Sequence, residues 1–145
     1  MRIATFLPLP LLIALSACAS PPPVPTGAGH AAPPAILLGE FSDDYGIAYR
    51  IDAGEWWQRP AARYRVVAWH PEAQYLIARD SAGLWTRIDW MPLDGMPPYR
   101  WAFCLSAWDA KTRAEAERSA IADRSAPKTG CNGFPFSRMR PAPAG

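Results

Sequence analysis

From Tyr45 onward the chain alternates apolar and polar residues with a period of two, the spacing at which every second side chain shares one face of a strand. In Tyr45-Gly-Ile-Ala-Tyr-Arg-Ile51, residues Tyr45, Ile47, Tyr49 and Ile51 fall on one side. Arg63 to Trp69 and Gln74 to Arg79 repeat the pattern. Only His70-Pro71-Glu72-Ala73 separates them, which predicts an antiparallel hairpin. Asp80-Ser81-Ala82-Gly83 is the next turn, with glycine supplying the permissive dihedral. Leu84 to Met91 follows, with Leu84, Thr86, Ile88 and Trp90 facing one way and Trp85, Arg87 and Asp89 the other. Pro92 to Pro98 holds three prolines and a glycine and reads as a loop. Tyr99 to Ala107 then sets Tyr99, Trp101, Phe103 and Leu105 on one side.

These five strands with short links predict a mostly β fold, a small antiparallel meander curling into a barrel-like sheet. Ile36 to Phe41 offers a sixth strand. One C-terminal helix follows over Ala110–Ala122, a segment rich in good helix formers. Asp109 can cap it, or Thr112 and Glu115 can form a capping box. Its apolar stripe is thin, only Ala110, Ala114 and Ile121, so the helix should lie on the sheet and bury little.

The first 17 residues have a different pattern. Arg2 precedes an apolar run with no acidic residue, the layout of a secretory signal peptide. The run is too short to span a bilayer, which needs about 20 apolar residues. It ends at Leu15-Ser16-Ala17-Cys18, and here the chain resembles the bacterial lipoprotein class, whose lipobox is a leucine, two small residues and a cysteine. The resemblance covers only the first 20 or so residues. It implies cleavage before Cys18, lipidation of the Cys18 sulfur with palmitate-type chains and acylation of the new amine. With Ala19 rather than aspartate next, it also implies an outer-membrane address in a Gram-negative cell. Each buried CH₂ contributes about 0.8 kcal/mol, so two or more chains anchor stably.

Residues 18–34 carry six prolines and two glycines from Ala19 to Pro34, a composition that precludes regular structure. Proline-rich chain extends at about 3.1 Å per residue, giving a tether with a reach of roughly 40–50 Å. The sequence thus divides into a signal peptide (1–17), a lipidated cysteine with its tether (18–34), one globular domain (35–139) and a frayed tail (140–145).

Three cysteines are an odd number for a secreted chain. Assigning Cys18 to lipid leaves Cys104 and Cys131, an even pair in an oxidising compartment. The expected disulfide would pin the helix and Phe134-Pro135-Phe136 to the sheet, contributing about 3.6 kcal/mol by chain entropy. Two free thiols in a redox or metal role are the rival reading.

The formal charge of +2 is too small to imply a nucleic-acid partner, and the exported address discounts one. Thirteen of the 15 basic residues are arginine, which composition bias explains, alanine and proline also being abundant. No catalytic set emerges, so the chain reads as no enzyme. Asp43 and Asp44 are adjacent, so their side chains diverge and fit a turn better than a glycosidase pair. His70 has no nucleophile elbow to serve. No metal or other cofactor is expected: His30 stands alone in the tether, there is no CxxC, and Met91, Met96 and His70 lack a further soft ligand for copper. Arg87 and Asp89 read as partners on a solvated face.

The aromatics are the best lead. Trp69, Trp90 and Trp101 fall on alternating positions and should be core. Trp56 and Trp57 lie in Gly54-Glu-Trp-Trp-Gln-Arg-Pro60, between strands, so one of them should face water beside Gln58 and Arg59. The candidate ligand-binding residues are therefore Trp56, Trp57 and Arg59, able to stack a sugar or grip a protein. The functional expectation is an envelope-anchored, non-enzymatic binding module for a cell-surface protein or glycan. The alternatives are a small barrel carrying an apolar ligand or lipid, excluded if Tyr49, Trp69, Trp90 and Trp101 fill the middle, and an inhibitor of an extracellular hydrolase.

Overall fold

The computed structural model describes residues 31–119 and 122–143, so Cys18 and His30 lie outside the described residues. After a short 3-10 turn, Ala35–Leu37, eight antiparallel strands follow: β1 (Gly39–Asp43), β2 (Ala48–Ile51), β3 (Glu55–Gln58), β4 (Ala62–His70), β5 (Tyr75–Arg79), β6 (Trp85–Pro92), β7 (Trp101–Ala110) and β8 (Ser137–Pro141). Each pairs with the next. β8 also pairs with β1, Ser42 opposite Arg140, so the meander closes into a barrel without edges.

The mostly β architecture agrees with the alternation, but the strand count is eight rather than five or six. Ile36–Phe41 contributes to β1. Glu55–Gln58, expected between strands, is β3, and the expected tail contains the end of β8, where the Ala142 amide donates to the Glu40 carbonyl at 2.9 Å. Eight strands leave an interior just wide enough for side chains. Phe41, Tyr49, Ile51, Trp56, Trp69, Leu76, Ile88, Trp90, Trp101, Phe103 and Met139 fill it. The rings meet edge to face: Phe41 on Trp101 at 5.1 Å, Trp56 on Phe103 at 5.1 Å and Trp69 on Trp90 at 5.8 Å. Trp69 and Val66 both reach this core although they differ in parity, because β4 is bulged between Val66 and Ala68. The Trp69 indole donates to the Ala53 carbonyl at 2.9 Å, tying down the β2–β3 turn.

A second layer lies outside the barrel. The crossover from β7 to β8 carries α1 (Arg113–Arg118), which packs with Ala116 against Ile77, Ala107 and Ala110. The helix is six residues long, far short of Ala110–Ala122. Thr112 caps it by accepting from the Glu115 amide at 3.1 Å, and the Glu115 carboxylate accepts from the Lys111 amide. Asp109 does not cap: it lies one residue before the end of β7 in a left-handed conformation, and Ala114 is exposed. The expected pair Cys104–Cys131 is disulfide-bonded, joining β7 to the crossover amid Ala102, Ala122 and Phe136. Gly130 has no room for a side chain, since a Cβ there would collide with the carbonyls of Asp123 and Ala126.

The solvated face expected for Arg87 and Asp89 is covered by this layer, and both are buried. Arg87 donates to Asp89 through two nitrogens and to the Glu117 carbonyl at the end of α1, with its guanidinium carbon 4.0 Å from the centre of the Tyr75 ring. Asp89 also accepts from Ser106 and from Arg124 of the crossover.

Candidate functional site

Antiparallel pairing gives the barrel two ends. At the entry end are the start of β1, the turns β2–β3 and β4–β5, the β6–β7 loop and the end of β8. At the far end are the turns β1–β2, β3–β4 and β5–β6, and the end of β7.

Of the residues singled out in the sequence, Trp56 is 1% exposed and belongs to the barrel interior, out of a ligand's reach. Adjacent strand residues point oppositely, so Trp57 lies on the outer wall. Its ring is already occupied: the Arg63 guanidinium carbon stands 3.9 Å and that of Arg59 4.6 Å from the ring centre. Arg59 is further held by Glu40 at 2.9 Å. The two tryptophans therefore form no joint platform.

The far end instead carries Trp108, which alternation alone did not single out. It is 59% exposed near the end of β7. Asp109, next to it, has a φ of 57°, a region costly for a residue with a side chain and found at sites where a side chain must be aimed. On one side of Trp108 is a hollow of about 190 Å³, lined by Arg63, Tyr64, Asp80, Ser81, Thr86 and Asp109. On the other is one of about 230 Å³, where Ser106, Glu115, Ser119 and Asn132 supply polar groups. The first hollow is shaped by two turns. One contains Pro60, which cannot continue a ladder. The other is the expected Asp80–Gly83 turn, in which Gly83 takes a φ of 83° and the Asp80 carboxylate accepts from the Leu84 amide at 2.9 Å. Burial raises the Tyr64 hydroxyl above its usual pKa, and the charges of Asp80 and Asp109 raise it further, so it is a hydrogen-bond donor at neutral pH.

Asp43 and Asp44 form the expected turn. The Asp43 carboxylate accepts from the Tyr45 and Ile47 amides and from the Tyr49 hydroxyl, while Asp44 pairs with Arg138 at 2.9 Å. His70 stacks on Tyr75 with ring centres 4.3 Å apart, and burial lowers its pKa, opposed by Glu117 and reinforced by Arg113 and Arg87. Met91 packs in the outer layer and Met96 is exposed on the β6–β7 loop. Among the described residues no three His, Cys, Asp or Glu side chains group as metal ligands would.

What the far end offers is a flat apolar ring flanked by carboxylates, hydroxyls and a guanidinium. Such a set binds by stacking and by hydrogen bonds. Comparison with known protein families, with curated proteins and with solved structures gave no match.

Proposed function

We propose that this chain is a lipid-anchored, non-enzymatic binding module of the cell envelope, held through Cys18, that takes a glycan at its far end. The carrying observation is Trp108, a large aromatic left open at the rim of a polar hollow, at the end opposite the one where the chain enters the barrel. A pyranose offers apolar C–H faces to such a ring and hydroxyls to neighbouring acids and donors, here Asp80, Asp109, Tyr64 and Arg63. In a Gram-negative cell the lipobox and Ala19 favour an outer-membrane address. The alternative of an apolar ligand inside the barrel must contend with an interior already occupied by Tyr49, Trp69, Trp90 and Trp101.

The test is a titration of the protein with soluble muropeptides and with lipopolysaccharide core oligosaccharides, read by calorimetry and tryptophan fluorescence. A saturable signal that disappears in Trp108→Ala, with the thermal transition unchanged, is the expected result. Binding that survives in Trp108→Ala, or the absence of binding to either glycan class, overturns this reading. The mass of the membrane-extracted mature chain tests the anchor separately, and a product without lipid on residue 18 overturns that part.

A further inference from the structure

We propose that a groove on the outer wall, between the β6–β7 loop, β8 and the crossover, binds a carboxylate carried on an apolar body. The site is independent of the Trp108 end. It also lies outside the barrel, whose interior is filled by its own side chains.

The groove is built outward from the ladder. Ala102 on β7 is opposite Arg138 on β8. Their neighbours Trp101, Phe103 and Met139 fill the interior, so Ala102 and Arg138 face outward. Alanine is small, and a hollow of about 480 Å³ stands over it. Tyr45, Leu93, Met96, Pro135 and Phe136 supply the rest of its apolar lining. Ala102 and Phe136 form the buried floor with Leu93 packed against them, while Tyr45 and Met96 are exposed at the rim. The walls are fixed by covalent and backbone bonds. The Cys104–Cys131 disulfide holds the crossover to β7, the Phe136 amide donates to the Pro127 carbonyl at 2.9 Å, and the Leu93 amide donates to the Arg100 carbonyl at 2.9 Å. A preformed, mostly apolar hollow of roughly 300–1,000 Å³ with a few placed polar groups is the usual form of a small-ligand site.

The polar groups select the head of the ligand. Asp44, Lys128 and Arg138 are the charged residues among those lining the groove. Asp44 is already engaged, accepting from the Arg138 amide at 3.2 Å and from its Nε at 2.9 Å. The guanidinium carbon of Arg138 also stands 4.7 Å from the centre of the Tyr99 ring. Held in this way through Nε and over the ring, the guanidinium keeps its two terminal nitrogens free to donate to a second carboxylate. Lys128 is exposed and in no ion pair among the described residues. Asp94, between Leu93 and Met96 in sequence, lines a neighbouring hollow beside Arg100 instead. An apolar floor therefore meets two cations, one of them oriented, and a single carboxylate that already has its partner. An apolar amine would find no free acid here, and an apolar alcohol would use the floor alone.

The experiment titrates the full chain, carried in phosphatidylcholine nanodiscs, with phenylbutanoate and with phenylbutanol, whose short bodies partition little into lipid. Amide NMR shifts locate the binding. Phenylbutanoate should give saturable shifts at Ala102, Phe136 and Arg138 while Trp108 and Ile88 stay still. It should bind about 10-fold more tightly than the alcohol. Lys128→Gln with Arg138→Gln should remove that preference and leave the affinity for the alcohol unchanged. Lys128→Gln alone, at an exposed position, should lower the preference part of the way, and it keeps the test decisive if the loss of Arg138 disturbs β8. Acetylated trileucine with a free C-terminus is the third probe. Tighter binding than phenylbutanoate assigns the carboxylate to a peptide end, and weaker binding assigns it to a small organic acid. Equal affinities for acid and alcohol, shifts confined to another surface, or no saturable shift with any probe overturns the site. The glycan reading stands or falls separately, on Trp108.

Discussion

Arg87 and Asp89 stand two residues apart on β6, point out of the barrel and are buried all the same, joined by two hydrogen bonds of 2.8 and 3.0 Å. Their burial is the work of the crossover. Arg124 reaches Asp89 from above and also donates to the carbonyls of Gln74 and Trp90, while Arg87 holds the last turn of α1. With so thin an apolar stripe on the helix, this polar clasp and the disulfide reinforce the apolar contacts of Ala116, Ala122 and Phe136 that join the second layer to the barrel.

Breaking the clasp from one side should therefore be costly. Asp89→Asn leaves two guanidinium groups without their shared carboxylate, and Arg87→Ala leaves the Asp89 carboxylate buried with fewer donors. Loss of one partner from a buried pair costs about 3–5 kcal/mol. The midpoint of chemical denaturation should fall accordingly in each variant. In the double variant Arg87→Met with Asp89→Leu, the loss should be smaller, because the one charge left without its carboxylate is that of Arg124, which is partly exposed and keeps the carbonyls of Gln74 and Trp90. A double variant as unstable as Asp89→Asn would show that the charges themselves hold the layer.

The disulfide closes a loop of 27 residues that contains α1 and Asp123 to Gly130. By chain entropy its removal should cost about 3.6 kcal/mol. Cys104→Ala with Cys131→Ala is expected to keep the barrel, whose interior contains neither cysteine, while the crossover gains protease sensitivity between Lys111 and Gly130. Hydrogen exchange should locate the loss there, with the amides of β2 to β4 keeping their protection relative to the global transition.

Trp56 and Trp57, neighbours in sequence, should separate sharply on substitution. Trp56→Ala empties the centre of an aromatic cluster that includes Tyr49, Trp101 and Phe103, and costs about 3–5 kcal/mol. Trp57→Ala removes an outer-wall ring and two exposed cation–π contacts, about 0.5–1 kcal/mol each. Thermal denaturation of the two single variants checks the order, and equal losses would contradict the inside–outside assignment.

The strands β2 and β4 to β7 were legible in the sequence because each alternates for several residues and ends in a turn with its own chemistry. β3 was not, because four residues with two adjacent tryptophans satisfy either parity. β8 offers only Met139 to the interior, so Ser137-Arg-Met-Arg-Pro141 shows no alternation and its last two residues look like a tail until β1 is beside them. Closure is information carried by pairs such as Ser42 and Arg140, nearly a whole domain apart in sequence, and no local pattern contains it. The same holds for Arg87 and Asp89. Their shared face was readable, but the cover over it comes from a segment without the apolar periodicity that announces packing. Trp108 is not announced by the sequence, because the alternation runs out at Ala107, β7 is irregular beyond Leu105, and no local pattern says that two turns will build a hollow beside it.

Tyr49 provides a last prediction, at alkaline pH. Its hydroxyl donates to the buried Asp43 carboxylate at 3.0 Å, and burial first, then the Asp43 charge, raises its pKa far above the usual value of about 10. The proton is thus held more tightly in the folded chain than in the unfolded one. The stability from this hydrogen bond is fully present below pH 10 and is lost as pH rises beyond it, because only the unfolded chain then releases the proton. The slope from one such group is about 1.4 kcal/mol per pH unit. Tyr64, shifted the same way, contributes in the same direction. Tyr49→Phe should cost about 1–3 kcal/mol at neutral pH by leaving Asp43 short of a donor. It should also flatten the fall in stability above pH 10 without removing the share due to Tyr64. Urea denaturation of both proteins between pH 7 and 11 measures the two effects together, and parallel curves would mean that the Tyr49 proton is not what the folded state retains.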